Sequence, residues 1–89
     1  MEQTTVTKGF AIVVADRGWV FVGDVEHDGV WCRIRNARNI RRWGTERGLG
    51  QIAKDGPTES TVLDDYGDVQ IPAHAVVVVI DAERTKWTP

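Results

Sequence analysis

The chain has little of what disulfide-stapled, zinc-binding or membrane-spanning proteins need. Its 89 residues include a single cysteine, Cys32, so no internal disulfide can form. The two histidines, His27 and His74, are too far apart in the sequence for the usual spacing of zinc ligands. No apolar run exceeds six residues, and no apolar stretch follows a basic start. We therefore expect a cytoplasmic protein with no metal site and no membrane partner.

Signatures of catalysis are also missing. The sequence contains neither a nucleophile elbow nor a GxxxxGK[ST] phosphate loop. Asp64 and Asp65 are adjacent, so on a strand they would point to opposite faces, and we interpret them as solvated loop charges. Cys32 occupies an inward strand position that is typical of a small core residue. The prediction is a protein that is not an enzyme and needs no cofactor.

The length fits one domain, residues 1–89, because two independent cores would need a longer chain. Apolar residues make up 42% and charged residues 27%, which is a globular composition. The polar ends, residues 1–8 and 83–89, are predicted to be flexible tails. A chain this short has a thin stability margin, and association is a common remedy, so we expect a homo-oligomer.

Alternating apolar residues and β-branched runs predict a mainly antiparallel sheet. Asp28-Gly29 is a hairpin signal, and Gly23 marks a bulge or a close backbone approach. The longest segment is interrupted at Asn36-Ala37, so it forms either one bent strand or two short ones. The run at 75–80 is the most hydrophobic and is expected to be central, whereas residues 57–69 are expected to form an acidic loop with a brief strand at 61–63. The predicted strands cover residues 10–15, 19–26, 30–43, 69–72 and 75–80.

One short helix is predicted after the third strand. Thr45 can act as its N-cap, because a hydroxyl accepts from the free amides of the first turn. Leu49, Ile52 and Ala53 fall on one helical face. Asp55-Gly56-Pro57 ends the helix with the expected glycine and proline. The predicted fold class is α+β: an antiparallel β-sheet of about five strands, open or partly closed into a barrel, with one short α-helix.

Charge is segregated along the chain. Residues 31–54 hold seven basic residues against Glu46 alone, a net charge of +6, whereas residues 55–83 hold seven acidic residues and no basic one. Such segregation indicates either complementary faces or a basic site that the acidic remainder keeps selective. The alternative is that the two segments neutralise each other within one fold.

The basic segment also carries two tryptophans, and this combination predicts a binding site. Tryptophan rings stack on bases, and guanidinium groups pair with phosphate in a bidentate manner. The helix that follows offers free amides for an anion. An acidic chain with a pI of about 5.6 is a poor partner for nucleic acid, so a small nucleotide is the expected ligand. The alternative is a charged strand face whose tryptophans pack on another subunit. The predicted ligand-binding residues are Trp31, Arg38, Arg41, Arg42, Trp43, Gly44, Thr45 and Arg47.

The order of these motifs resembles a small domain of unknown function found in phages and prophages. Its pattern is a hydrophobic strand, then (L/I)-x-(N/D)-A-R-x-I-x-x-W, then a helix with L-x-x-(I/L)-A and a glycine, then a closing strand. The resemblance covers residues 9–82, and Arg41 and Arg42 make this version unusually basic. The matching positions are Ile34, Asn36, Ala37, Arg38, Ile40, Trp43, Leu49, Ile52, Ala53 and Gly56.

By analogy, this resemblance implies an anti-defence protein of the sponge type. Such phage proteins sequester nucleotide immune signals, cyclic ADP-ribose isomers or cyclic oligonucleotides, without cleaving them, in the cytoplasm of an infected bacterium. The absence of a catalytic constellation and the stacking-plus-arginine segment fit this hypothesis. Three alternatives stay open: a protein-interaction module that docks on and blocks a host protein, a small nucleic-acid-binding protein, and a structural or assembly protein of the virion.

Overall fold

The computed structural model describes residues 7–45 and 48–87, and it confirms the predicted fold class. Within these residues the chain forms one five-stranded antiparallel sheet and one α-helix. The strand order is β4-β3-β2-β1-β5, and the sheet does not close into a barrel. The elements are β1 Thr7–Ala15, β2 Trp19–His27, β3 Trp31–Arg42, α1 Leu49–Asp55, β4 Val62–Pro72 and β5 Val76–Asp81.

The connection between the two edge strands shows that the sheet is strongly curved. β4 and β5 lie at opposite edges, yet only the 3₁₀ turn Ala73–Ala75 joins them. A flat five-stranded sheet would separate its edge strands by roughly 19 Å, at about 4.8 Å per strand. Three 3₁₀ residues advance only about 6 Å. The sheet therefore bends until the end of β4 approaches the start of β5.

The predicted Asp28-Gly29 hairpin forms between β2 and β3. The Oδ1 atom of Asp28 accepts hydrogen bonds from the backbone N–H of Val30 at 2.9 Å and of Trp31 at 2.8 Å. Gly29 has a φ of 91°, which a side chain would disfavour. The bonds from Trp31 and then Val30 lower the pKa of the Asp28 carboxyl, because they stabilise its charged form.

β3 is one long bent strand, the first of the two alternatives. Its pairing with β4 shifts register between Ile34 and Ala37, and Asn36 has a φ of 53°. Gly23 of β2 lies against this bulge, because a Cβ there would meet the Arg35 carbonyl oxygen at 2.8 Å. The prediction of a close backbone approach at Gly23 is thus confirmed. The bulge rotates the strand, so Ile34 and Ile40 belong to different buried clusters.

Both faces of the sheet carry buried apolar side chains. β1 supplies both clusters with alternate residues, as expected for a strand that is apolar on both faces. The first core includes Val13, Phe21, Val25, Cys32, Ile34 and Ile71. The second core lies on the helix side and includes Ile12, Val22, Ile40, Leu49, Ile52 and Trp87.

The predicted place of the most hydrophobic strand is wrong. β5 pairs only with β1, so it is an edge strand rather than a central one. Val77 is 64% exposed, and Val78 and Val79 are also exposed. Local hydrophobicity predicted the strand correctly but could not give its position, because sheet order depends on pairings distant in sequence.

The acidic segment 57–69 is mostly strand instead of loop. β4 begins at Val62, and its pairing with β3 sets Asp64 opposite Asn39 and Asp65 opposite Arg38. Aspartate has low strand propensity, but opposite charges across a strand pair stabilise the sheet and edge position tolerates charge. Tertiary pairing overrides the local preference here.

The start of the predicted helix also differs. Leu49, Ile52 and Ala53 are buried on one face as expected, and Gly56 ends the helix with a φ of 87°. However, the N-cap is Gly48 and not Thr45. Gly48 has a φ of 83°, which no right-handed helix can include. The Thr45 hydroxyl instead accepts from the Gly48 N–H at 2.9 Å and closes the turn before the helix.

The C-terminal segment packs on the domain over its described length, in contrast to the flexible tail expected at 83–89. Trp87 is only 3% exposed and lies in the second core. The backbone N–H of Glu83 donates to the Ala53 carbonyl at 2.8 Å, which ties the segment to α1. Residues 1–6 and 88–89 of the predicted tails lie outside the described residues. The sequence signal was Trp87 itself, a large apolar side chain in an otherwise polar stretch.

Replacing Trp87 tests this anchoring. Trp87→Ala should lower the free energy of unfolding by about 3–5 kcal/mol, the usual cost of removing a buried tryptophan. Trp43→Ala is the matched control, because Trp43 is 43% exposed and its removal leaves no buried cavity. Urea unfolding followed by far-UV circular dichroism gives both values. Equal losses in the two variants would contradict the anchoring role of Trp87.

The hairpin carboxylate gives a pH-dependent prediction. Asp28→Asn keeps an acceptor oxygen but removes the charge that the Trp31 and Val30 amides stabilise. Because the folded-state pKa of Asp28 is lowered, its contribution is present above the ordinary value of 3.8 and is lost as the pH falls through the folded-state value. The wild-type protein should therefore melt above Asp28→Asn at pH 7, with the difference shrinking towards acid. Parallel Tm–pH curves for the two proteins would refute this.

Candidate functional site

The predicted binding residues do not converge on one pocket. Trp31 opens β3 opposite Pro72, whereas Trp43 follows the other end of the same strand. At about 3.3 Å per residue, the two tryptophans lie roughly 30–40 Å apart along the strand. They cannot stack on the same small ligand within one chain. Arg47 lies outside the described residues.

Arg38 is already engaged by the fold. Its guanidinium donates to the Trp87 carbonyl at 3.2 Å and lies 5.7 Å from the centre of the Trp87 ring. A cation over an aromatic face is attractive, and this one is half-buried. Arg38 therefore holds the C-terminal segment, and the β3 bulge explains why it reaches the helix side of the sheet.

Two other arginines of β3, Arg33 and Arg41, are ion-paired with acidic residues. The Nε atom of Arg41 lies 2.8 Å from an Asp64 carboxylate oxygen. Asp65 lies directly opposite Arg38 in the pairing of β3 with β4. The basic and acidic segments are thus neighbouring strands, which supports the alternative in which they neutralise each other within the fold. Each exposed pair contributes little stability, but together they offset part of the positive charge along β3.

The end of β3 brings together four of the predicted residues. Arg42 and Trp43 are exposed, and Gly44 and Thr45 follow them. The backbone here is held by threonines, since Thr58 Oγ1 donates to the Gly44 carbonyl and Thr61 Oγ1 to the Trp43 carbonyl, each at 2.7 Å. The hydroxyl of Thr45 is used by Gly48. The expected cradle of helix amides at Thr45 is therefore not present, because α1 begins only at Leu49.

A second surface, which sequence reasoning missed, is formed by three aromatic rings at the open end of the first core. Trp19 and Phe21 stack with ring centres 5.8 Å apart and planes within 5° of parallel. Tyr66 of β4 meets both rings edge-on, at 6.2 Å from Trp19 and 5.6 Å from Phe21. Trp19 is 46% exposed and Tyr66 47% exposed, so the rings are fixed by each other and remain accessible.

An apolar groove continues from these rings. It has a volume of about 250 Å³ and is open to solvent. One wall is the turn after β1, with Asp16 at its rim, and the other is the end of β4. Because the groove is mostly apolar and carries one carboxylate, it is suited to an uncharged or basic ligand. We call the rings and this depression the aromatic groove; it is lined by Ala15, Asp16, Trp19, Phe21, Val69, Gln70, Ile71, Pro72 and Ala75, with Tyr66 packed against its rings.

The sequence contained part of the signal for the aromatic groove. Trp19 and Phe21 are two residues apart in a strand, so their side chains lie on the same face. Tyr66 was hidden, because it falls in the segment predicted to be an acidic loop. Pro72 and Ala75 reach the groove only through the curvature of the sheet, which no local pattern reveals.

The opposite face carries a cleft of about 500 Å³ near the C-terminal segment. Arg38 and Arg84 line it, and so do Asp24 and Asp65. Arg84 is ion-paired with Asp24 and lies 5.0 Å from the centre of the Phe10 ring. Since both signs of charge line the cleft equally, it does not favour an anion.

Other chemistry is limited within the described residues. No group of three or more potential metal ligands occurs in the described ranges. The thiol of Cys32 is buried, and burial raises its pKa, so it is not an activated nucleophile. No helix in the described part of the chain is long and apolar enough to cross a membrane.

Comparisons with known proteins add no further constraint. No protein-family model, no curated protein and no solved structure matches the chain. The resemblance to a phage domain therefore stays a prediction, and the function has to be argued from the surface itself.

The role of Gly44 can be tested against a neighbouring glycine. Gly44 has a φ of 65°, and a Cβ there would lie 2.4 Å from the Ser60 carbonyl carbon. Gly44→Ala should therefore destabilise the fold clearly, with or without any ligand. Gly50→Ala is the control, because Gly50 lies in α1 with no atom within 4 Å of an added Cβ, and alanine there should stabilise by up to about 1 kcal/mol. Thermal melts of the two variants should move in opposite directions; a neutral Gly44→Ala would contradict the packing role.

Proposed function

We propose that the domain is a protein-interaction module that binds an extended peptide segment in the aromatic groove. The observation that carries the proposal is the set of three mutually packed aromatic rings, two of them nearly half-exposed, continuous with an apolar groove. Exposed aromatic clusters of this kind mark binding sites, because tryptophan and tyrosine supply rigid apolar area at low entropic cost.

The shape of the groove favours an extended ligand. Its walls are the turn after β1 and the end of β4, and they leave a depression open at the surface. Proline-rich segments are extended before they bind and dock against aromatic-lined grooves, so they lose little conformational entropy. Proline rings would pack on Trp19 and Tyr66.

Electrostatics favours a peptide over a nucleotide at this surface. Asp16 lines the aromatic groove, and the chain segment that contributes Tyr66 is acidic. A phosphate would be repelled there, whereas an arginine or lysine beside the prolines would be attracted. A proline-containing segment with a nearby basic residue is therefore the preferred ligand class.

Sequestration of a small nucleotide signal, without cleavage, is the second candidate function. The pair Arg42 and Trp43 favours it, because an exposed arginine and an exposed tryptophan follow one another at the end of β3. A site there would need groups from a second copy to enclose a ligand, in keeping with the proposed homo-oligomer. As part of this second candidate, we propose that the protein comes from a phage and acts in an infected bacterium.

A peptide array tests the first candidate. Ten-residue peptides with two or three prolines, each made with and without an arginine, are screened against the labelled domain, and the best binder is titrated by calorimetry. Truncating a central aromatic contact typically costs about 1–2 kcal/mol, so Trp19→Ala and Tyr66→Ala should each weaken binding about 5- to 30-fold. Asp16→Asn should weaken only the arginine-bearing peptides.

The controls separate the two candidates. Trp43→Ala removes an equally exposed tryptophan outside the aromatic groove and should leave peptide affinity unchanged. A parallel titration with cyclic dinucleotides, cyclic trinucleotides and cyclic ADP-ribose isomers examines the second candidate. If these nucleotides bind and Trp43→Ala abolishes that binding, while no peptide binds, the interaction-module proposal is wrong.

A further inference from the structure

The outer edge of β5 carries an observation that the aromatic groove does not explain. β5 is hydrogen-bonded to β1 on one side and lies at the end of the strand order, so its other side has no strand partner within the described residues. It begins Val76-Val77-Val78-Val79-Ile80, five consecutive β-branched residues. An exposed apolar edge of this kind readily pairs with another strand.

The opposite edge of the same sheet is protected. β4 carries Asp64, Asp65 and Asp68, has Gly67 at a register shift and ends at Pro72. Charges, irregular backbone and proline are the features that discourage strands from adding to an edge. β5 has no charge before Asp81 and no proline or glycine. This contrast between the two edges of one sheet indicates that the β5 edge is an interaction surface.

The exposed valines restrict what can cover this edge. Val79 lies opposite Val13 of the first core, whereas Val78 lies opposite Val14 on the helix side, so they face opposite sides of the sheet. Val78 is 43% exposed and Val79 is 40% exposed. A helix laid on one face would cover only one of them. An added β-strand would cover both, because its own side chains alternate, and would also satisfy the free backbone groups.

We propose that the strand which covers β5 is β5 of a second copy, paired antiparallel about a two-fold axis. β5 is itself the apolar, β-branched strand that the edge requires, and a two-fold interface uses the same patch on both subunits. Charge selects the antiparallel direction: a parallel pair would place the two Asp81 carboxylates side by side. In the antiparallel pair, each Asp81 lies near the first residues of the partner's β5. Those residues, which follow the turn that contains His74, include no acidic side chain.

The result would be one continuous ten-stranded sheet across two chains. A single added strand pair buries less than the 1,200–2,000 Å² that is usual for tight complexes, so the dimer should be weak, with a Kd of the order of micromolar or above. The proposal does not depend on peptide binding, because β5 contributes no side chain to the lining of the aromatic groove.

Sedimentation velocity of the full chain tests the dimer over a range from about 1 μM to about 1 mM. The wild-type protein should pass from monomer to dimer within that range. Val78→Lys places a charge on the edge and should raise the Kd at least about tenfold. Val30→Lys is the matched control: Val30 is 66% exposed but lies in the β2–β3 turn, and this variant should dimerise like the wild type.

A second measurement locates the contact and guards against misfolding. Hydrogen exchange at low and high protein concentration should show protection gained on β5 and none on β4. Far-UV circular dichroism of Val78→Lys should match the wild type; if that variant is unfolded, Val77→Lys, which places the charge at the most exposed valine of β5, replaces it. A wild-type protein that stays monomeric throughout, or a dimer that Val78→Lys leaves intact with protection on another strand, would overturn the proposal.

Discussion

The contact between Gly23 and the bulge of β3 is the constraint on which the rest of the structure depends. The backbone of β3 comes so close to Gly23 that a Cβ there would lie 2.8 Å from both the Arg35 carbonyl oxygen and a methyl group of Ile34. Asn36 takes a left-handed conformation beside it. Bulges increase local twist and bend the strand. The bend turns Arg38 and Ile40 to the helix side and contributes to the curvature that lets a short 3₁₀ turn join opposite edges.

The same bend determines how charge is used. Because β3 and β4 run side by side, the basic segment of the sequence meets the acidic one, and Arg41 pairs with Asp64. Arg38 is turned towards Trp87, so its guanidinium binds the C-terminal segment and does not point into solvent. The fold thus uses part of the positive charge of β3 in ion pairs and in the contact with Trp87. The rings of Trp19 and Tyr66 also stay accessible, and they support the proposal of a peptide ligand.

Local patterns predicted what is local. Period-2 alternation, the Asp-Gly hairpin and the apolar face of α1 all correspond to features of the structure, because each depends on residues within one element. The errors share one cause. The edge position of β5, the strand in the acidic segment and the burial of Trp87 depend on contacts between residues far apart in sequence, which single-sequence periodicity does not contain. The candidate site stays a prediction: Trp31 and Trp43 lie near opposite ends of β3, and the bulge at Asn36 turns Arg38 to the helix side, where it contacts Trp87.

The two proposed surfaces have a consequence for each other. The aromatic groove includes Ala75, the residue immediately before β5, so pairing of two β5 strands would place a groove near each end of the shared strand pair. A partner with two proline-containing segments could then occupy both grooves at once. The second segment would bind at an effective concentration of the order of millimolar if its linker spans the distance, so two weak sites would give a much tighter complex. Together, the proposed dimer and groove would supply an affinity that neither would give alone.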